Sequence, residues 1–315
     1  MNPRKRAGVA VAVLGLVASV GLSTPANAAT ATTQISDGLT PVTLLNFNDF
    51  HGRIDDGLAL TGALGKNFAC TIETAKATHG ADNTLLLSAG DNIGASSFAS
   101  NVADDQPTIE YLNALGLAAS AVGNHEFDRG FSDLTGRVDE LADFELLGAN
   151  VYERGTTTPA LPEYSVHTVA GLKVGVIGVV TQSTPDLVTP AGVSGLDFGD
   201  PVAAVNRVAA QLSDGNAANG EADIIVAEYH EGANVTTSLA AAVAESGTFD
   251  RIVNETSPEV DVIFNGHTHM LYQWDGATQS GTRVVSHAFG MTDWQPEATR
   301  EVEGTTVYLW RIPAR

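Results

Sequence analysis

Short apolar runs alternate along this chain with stretches in which apolar residues recur every three or four positions, and that alternation holds from residue 42 to about residue 286. The runs at 42–47, 84–88, 118–122, 146–150, 173–180, 224–228, 260–264 and 282–286 are short and mostly apolar, which predicts largely buried strands. Helical spacing near 60–78, 108–115, 131–143, 201–212 and 235–245, punctuated by Gly or Asn, predicts the intervening helices. Residues 155–162 read as a surface loop, and Leu172 begins a hairpin-like return into a buried strand. Strands regularly separated by helices define an α/β protein. No solenoid repeat or low-complexity tract interrupts the pattern.

The N-terminus changes the picture first. Arg4, Lys5 and Arg6, an apolar run over 7–22 and the small residues of Ala26-Asn27-Ala28 have the layout of a secretory signal, too short for a membrane span. The expectation is a signal peptide over 1–28, a polar lead over 29–40 and an exported, extracellular or cell-surface protein with no stable membrane span. Loss of the three basic residues would take the formal net charge from −21 to −24, which argues against a nucleic-acid polymer as partner. An acidic protein that handles phosphate needs local positive charge, and bound metal ions provide it. Cys70 is the only cysteine, so no internal disulfide forms, and a buried thiol is expected there.

Chemically capable side chains follow the strands: Asp49 and His51, Asp91, Asn124 and His125, His230, then His267 and His269. In open α/β sheets the loops beyond the strand carboxyl ends are where ligands bind. Carboxylate, amide and imidazole donors without a thiolate suit hard or borderline divalent ions, and seven ligands are too many for one tetrahedral ion. They suit two ions sharing a carboxylate, an arrangement that clamps a phosphoryl group and activates water. Glu126 reads as a helix-start or packing residue, and Arg53 and Arg129 as arginines that either touch phosphate or pair with surface acids. Glu228 and Glu231, which flank His230, receive no role.

The blocks Asn48-Asp49-Phe50-His51-Gly52, Gly90-Asp91-Asn92, Gly123-Asn124-His125-Glu126-Phe127-Asp128, His230-Glu231-Gly232 and Gly266-His267-Thr268-His269 together resemble the signature of the calcineurin-like metallophosphoesterases. The first and third are similar to the secreted 5′-nucleotidase branch. The resemblance spans 42 to about 270 and implies a four-layer α/β/β/α sandwich forming a single catalytic domain. It implies Asp49, His51 and His269 as ligands of one divalent ion, Asn124, His230 and His267 as ligands of a second, and Asp91 as the bridge. Mn, Zn, Fe, Mg and Ca all accept such donors. His125 and Asp128 would form a catalytic dyad beside a metal-bound water or hydroxide that attacks the phosphorus.

The implied substrate is a small-molecule phosphoester, a nucleoside 5′-monophosphate first, cleaved to nucleoside and phosphate. The resemblance gives the catalytic domain as 41–285 and 286–315 as an atypical tail in which the family's second, nucleotide-specificity domain is absent. Two rivals fit the same residues: a cyclic-nucleotide or other phosphodiesterase or broad phosphatase, and an inactive truncated metal-binding remnant.

Overall fold

The computed structural model describes residues 12–14, 41–55, 62–245, 247–274, 283–286 and 308–313. Residues 4–6 and 26–28 of the expected signal, the lead over 29–40 and residues 287–307 of the expected tail lie outside the described residues.

Two six-stranded sheets carry the architecture. In the first, Pro41–Phe47, Thr84–Ser88, Leu117–Ala121 and Glu145–Leu147 run parallel in that order. The backbone of Tyr308–Pro313 joins Pro41–Phe47 antiparallel, and Ala12–Leu14 pairs beyond it. In the second, Arg283–Ser286, Val262–Asn265, Ile224–His230 and Leu172–Val180 are parallel. Tyr272–Trp274 and Tyr164–Val169 close its two edges antiparallel.

The sheets pack face to face through Val42, Leu44, Leu85, Leu87, Val174, Val176, Ile224, Val226, Val262 and Phe264. Outside the first sheet, Phe68 and Ile72 of helix Ala63–His79 and Ile109 and Leu112 of helix Gln106–Ala114 bury a second cluster. Outside the other, helix Pro201–Leu212 lays down Val202, Val205, Val208, Ala209 and Leu212 beside Ile252 and Val253 of helix Thr248–Glu255. These are the four layers, helix, sheet, sheet, helix, that the sequence led us to expect. Strands inside such a sandwich are covered on both faces, which is why they read as continuous apolar runs.

Local sequence explains the best-formed helix. Asp200 caps Pro201–Leu212 by accepting from the Val202 and Ala203 amides at 2.9 and 3.1 Å, and Pro201 sits at the first helical position, where no amide is needed.

The structure corrects several expectations. The helix expected over 131–143 is broken by a π-type turn at Leu134–Val138, and the one expected over 235–245 is reduced to Leu239–Ala244. Helix Thr248–Glu255 and the short strands Val151–Glu153, Leu196–Phe198 and Tyr272–Trp274 were not expected. Cys70 is exposed, because helix Ala63–His79 buries its Gly65, Phe68 and Ile72 side and Cys70 falls on the other.

Candidate metal centre

All seven proposed ligands lie at or just beyond strand carboxyl ends. Asp49 and His51 follow Pro41–Phe47, Asp91 follows Thr84–Ser88, Asn124 follows Leu117–Ala121, His230 ends its own strand, and His267 and His269 follow Val262–Asn265. Each sheet therefore contributes part of the site, and the loops are tied across it: the Asp49 amide donates to Gly90 O at 3.0 Å and the His51 amide to Asp91 O at 3.0 Å. Glycine is required where these loops touch. A Cβ on Gly90 would stand 2.7 Å from Gly123 N and 2.8 Å from His230 Nδ1, and one on Gly123 would meet the Asp91 carboxylate.

Asp49, His51, Asp91 and His269 form one group whose ligand atoms lie within 4.8 Å of one another. His51 Nε2 is 3.3 Å from His269 Nε2 and 3.8 Å from Asp91 Oδ2, while His269 Nε2 is 3.5 Å from Asp49 Oδ1. A second group shares Asp91: His230 Nε2 is 3.0 Å from Asp91 Oδ2 and 3.2 Å from Asn124 Oδ1, which lies 3.1 Å from His267 Nδ1. The other ring nitrogens of two histidines are already committed, His51 Nδ1 to Gly94 O and His230 Nδ1 to Ala89 O, both at 2.8 Å. Such bonds fix the tautomer and leave the Nε2 lone pair for an ion. Lone pairs of several oxygens and nitrogens thus converge on two neighbouring points, and the donor set fits two divalent ions.

Backbone strain marks the same residues. Asp49, His51, Asp91, His267 and His269 have φ of 54°, 47°, 55°, 73° and 55°. Non-glycine residues in the left-handed region carry a cost of about 1–3 kcal/mol each, and they persist where surrounding contacts hold them.

One such contact comes from Glu126, which the sequence presented as a packing or helix-start residue. Its buried carboxylate accepts from the amides of Asp91 at 3.0 Å, Asn92 at 2.8 Å, Ile93 at 3.3 Å and Gly123 at 2.6 Å, so it joins the loop of Asp91 to that of Asn124 without facing an ion. A buried chain from Ser88 through Asn92 to Ser120 supports the same loop, with 2.8 and 2.7 Å links. Nothing in the sequence marks a glutamate as a collector of amides, because the four donors come from two loops.

Beside the ligands stand His125 and Asp128. His125 Nδ1 lies 2.9 and 3.1 Å from the two Asp128 oxygens, and the His125 amide donates to Asp91 Oδ1 at 2.9 Å. The ring packs edge-on against His51, with centroids 5.2 Å apart. Burial opposes charge on this ring, but the Asp128 hydrogen bond and the nearby Asp91 charge outweigh it and raise the pKa to about 9. Arg129 is bound to the exposed Asp104 at 2.6 Å, the surface pairing that was one of its two expected roles.

Burial also sets the ligands' protonation. It holds His51 and His269 below the usual imidazole value and, aided by the His230 charge, brings His267 to about 4. His230 goes the other way: burial disfavours its charge, yet Asp91 and Asp49 raise it to about 10. Asp91 is depressed despite burial, chiefly by His230.

The sequence profile of the calcineurin-like phosphoesterases matches residues 42–271. The chain is 32% identical over 255 residues to endonuclease YhcR of Bacillus subtilis, covering 73% of this chain and 20% of that protein. It is 30% identical over 256 residues to a 5′-nucleotidase of Vibrio vulnificus, covering 78% of this chain and 44% of that enzyme. Among solved structures, a putative 5′-nucleotidase from Staphylococcus aureus superposes with a TM-score of 0.63 at 22% identity, covering 78% of this chain and 48% of the other, which establishes a shared fold. The chain thus spans less than half the length of each of these proteins.

Proposed function

Because this chain belongs to the calcineurin-like phosphoesterase family, we propose that it hydrolyses phosphomonoesters, nucleoside 5′-monophosphates first among them, releasing nucleoside and phosphate. The family works with two divalent ions, and the donor clusters around Asp91 suit them. Asp49, His51 and His269 would hold one ion, Asn124, His230 and His267 the other, with Asp91 between. When bound, the ions supply the positive charge that draws in the phosphoryl group and make a water nucleophilic near neutral pH.

The chain's own residues do the rest. Asp128 holds His125 Nδ1, so Nε2 is the nitrogen left for the ester. The Asp128 hydrogen bond favours the charged form of the ring, which as an imidazolium would stabilise the developing negative charge and give its proton to the leaving oxygen. At 28% exposure the side chain regains a proton from solvent. No covalent phosphoenzyme is needed. The observation that carries the reading is Asp91 Oδ2 facing His230 Nε2 at 3.0 Å and His51 Nε2 at 3.8 Å, one carboxylate shared by two donor clusters.

The similarity to an endonuclease supports phosphodiester cleavage as a second reading, although that relative is matched over 20% of its length and a formal net charge of −21 opposes a polymeric substrate. Parallel assays with AMP, a cyclic nucleotide and a bis-aryl phosphate separate the two. Preferential phosphate release from AMP is expected, and faster cleavage of either diester would overturn the monoester reading. The N-terminal signature further supports export, with 41–285 as the catalytic unit; the exported protein is then expected to begin at Ala29, as terminal sequencing would show.

A further inference from the structure

Directly beneath the metal centre, between the two sheets, lies a polar pair that the proposed chemistry does not use. Side chains along a strand alternate between faces. In Pro41–Phe47 the face toward the other sheet carries Val42, Leu44 and then Asn46; in Ile224–His230 it carries Ile224, Val226 and then Glu228. Asn46 is 3% exposed and Glu228 fully buried. Only acceptors surround one end of the Asn46 amide, which assigns its nitrogen to that end; so oriented, it donates to the two Glu228 oxygens at 3.1 and 3.3 Å and to Leu87 O at 3.2 Å. Two residues further along these strands stand Asn48 and His230, so the pair forms the last side-chain layer before the ligands.

We propose that Asn46 and Glu228 are positioning residues, a buried clasp between the sheets that sets how far the His230 side of the centre stands from the Asp49–Asp91 side. The inference rests on the two-ion reading above. The layers below the clasp are apolar, and apolar contact is non-directional, so it tolerates small sliding of one sheet over the other. A buried amide and carboxyl tolerate far less, because losing the contact leaves polar groups unsatisfied. His230 Nε2 meets Asp91 at 3.0 Å and Asn124 at 3.2 Å across this same interface. Sliding by even part of an ångström would spoil the second donor cluster, to which the second sheet gives both His230 and His267, more than the first, to which it gives His269 alone.

The test uses the full chain, stripped with chelator and titrated with Mn2+ by calorimetry, alongside the Tm of the ion-free protein. Three proteins are compared: the parent, Glu228→Gln, which keeps a polar partner for Asn46, and the double variant Asn46→Leu/Glu228→Leu. The double variant is expected to keep or raise its ion-free Tm, because an apolar pair of similar size replaces a buried polar one. Its weaker Mn2+ site should lose about tenfold to a hundredfold in affinity, with Glu228→Gln staying within about twofold of the parent. Unchanged affinity in the double variant would overturn the clasp, and so would an affinity loss accompanied by a fall in Tm, which would make the pair merely structural. A parent that binds fewer than two ions would instead sink the two-ion reading, before any variant is compared.

Discussion

Asp91 is the residue on which the account turns. Its Oδ1 takes the His125 amide at 2.9 Å, and its Oδ2 faces a histidine from each donor cluster. Asp91→Ala is therefore expected to abolish hydrolysis and weaken both ions. His125→Ala should slow turnover by about 10²–10⁴-fold with two ions still bound, the usual range for a lost general acid. Metal content of the two purified variants decides the matter, and equal ion loss in both would contradict the division of roles. His230 adds a pH prediction. Its ion-free pKa of about 10 lies above the ordinary imidazole value, so below pH 10 an ion must displace a proton. Ion affinity should rise as pH rises from 6 to 9, and calorimetry in two buffers of different ionisation enthalpy should register proton release. Affinity that is flat across that range would be the contrary result. The site's five blocks were legible in sequence because each pairs a ligand-type residue with a strand end. Glu126, Asn46 and Glu228 were not: three of the four amides that Glu126 collects are 33 to 35 residues away, and Asn46 and Glu228 meet across about 180 residues.

At the scale of elements, the central strands declared themselves because both faces are covered, and Pro201–Leu212 because cap, proline and apolar stripe agree. What escaped was short: strands of three residues such as Val151–Glu153, and the eight-residue helix Thr248–Glu255, whose helical spacing rests on Phe249, Ile252 and Val253 alone. Asp200 offers the clearest element-level prediction. It caps one helix and accepts from Arg251 Nη1 of another at 2.5 Å. Burial works against its charge, but the Arg251 hydrogen bond and the helix amides outweigh it, and its pKa is lowered. A carboxyl depressed in the folded state holds fewer protons there than when unfolded. Its contribution is thus complete above the ordinary carboxylate value of about 3.9 and is lost as pH falls through the depressed one. Asp200→Ala should cost about 1 kcal/mol at neutral pH, chiefly through the cap, since the partly exposed ion pair adds little. Denaturant unfolding at pH 7 and pH 2 should show the difference between parent and variant shrinking in acid; a constant difference would assign the effect to packing alone.

For the whole molecule, the question is how a strongly acidic protein attracts a phosphoester. Its formal net charge is −21, and the side chains of Asp49, Asp91, Glu126 and Glu228 are buried in and around the site itself. Substrate attraction then falls to the ions, which the residues at the joined strand ends of the two sheets would hold. Among the described residues, no helix is long and apolar enough to cross a membrane. The measurement that tests this account most directly is phosphate release from AMP by the chelator-stripped chain, followed as one divalent metal is returned in steps. Release should be absent from the stripped protein and return as occupancy approaches two ions per chain. Undiminished release without metal, or full activity with one ion bound, would contradict it.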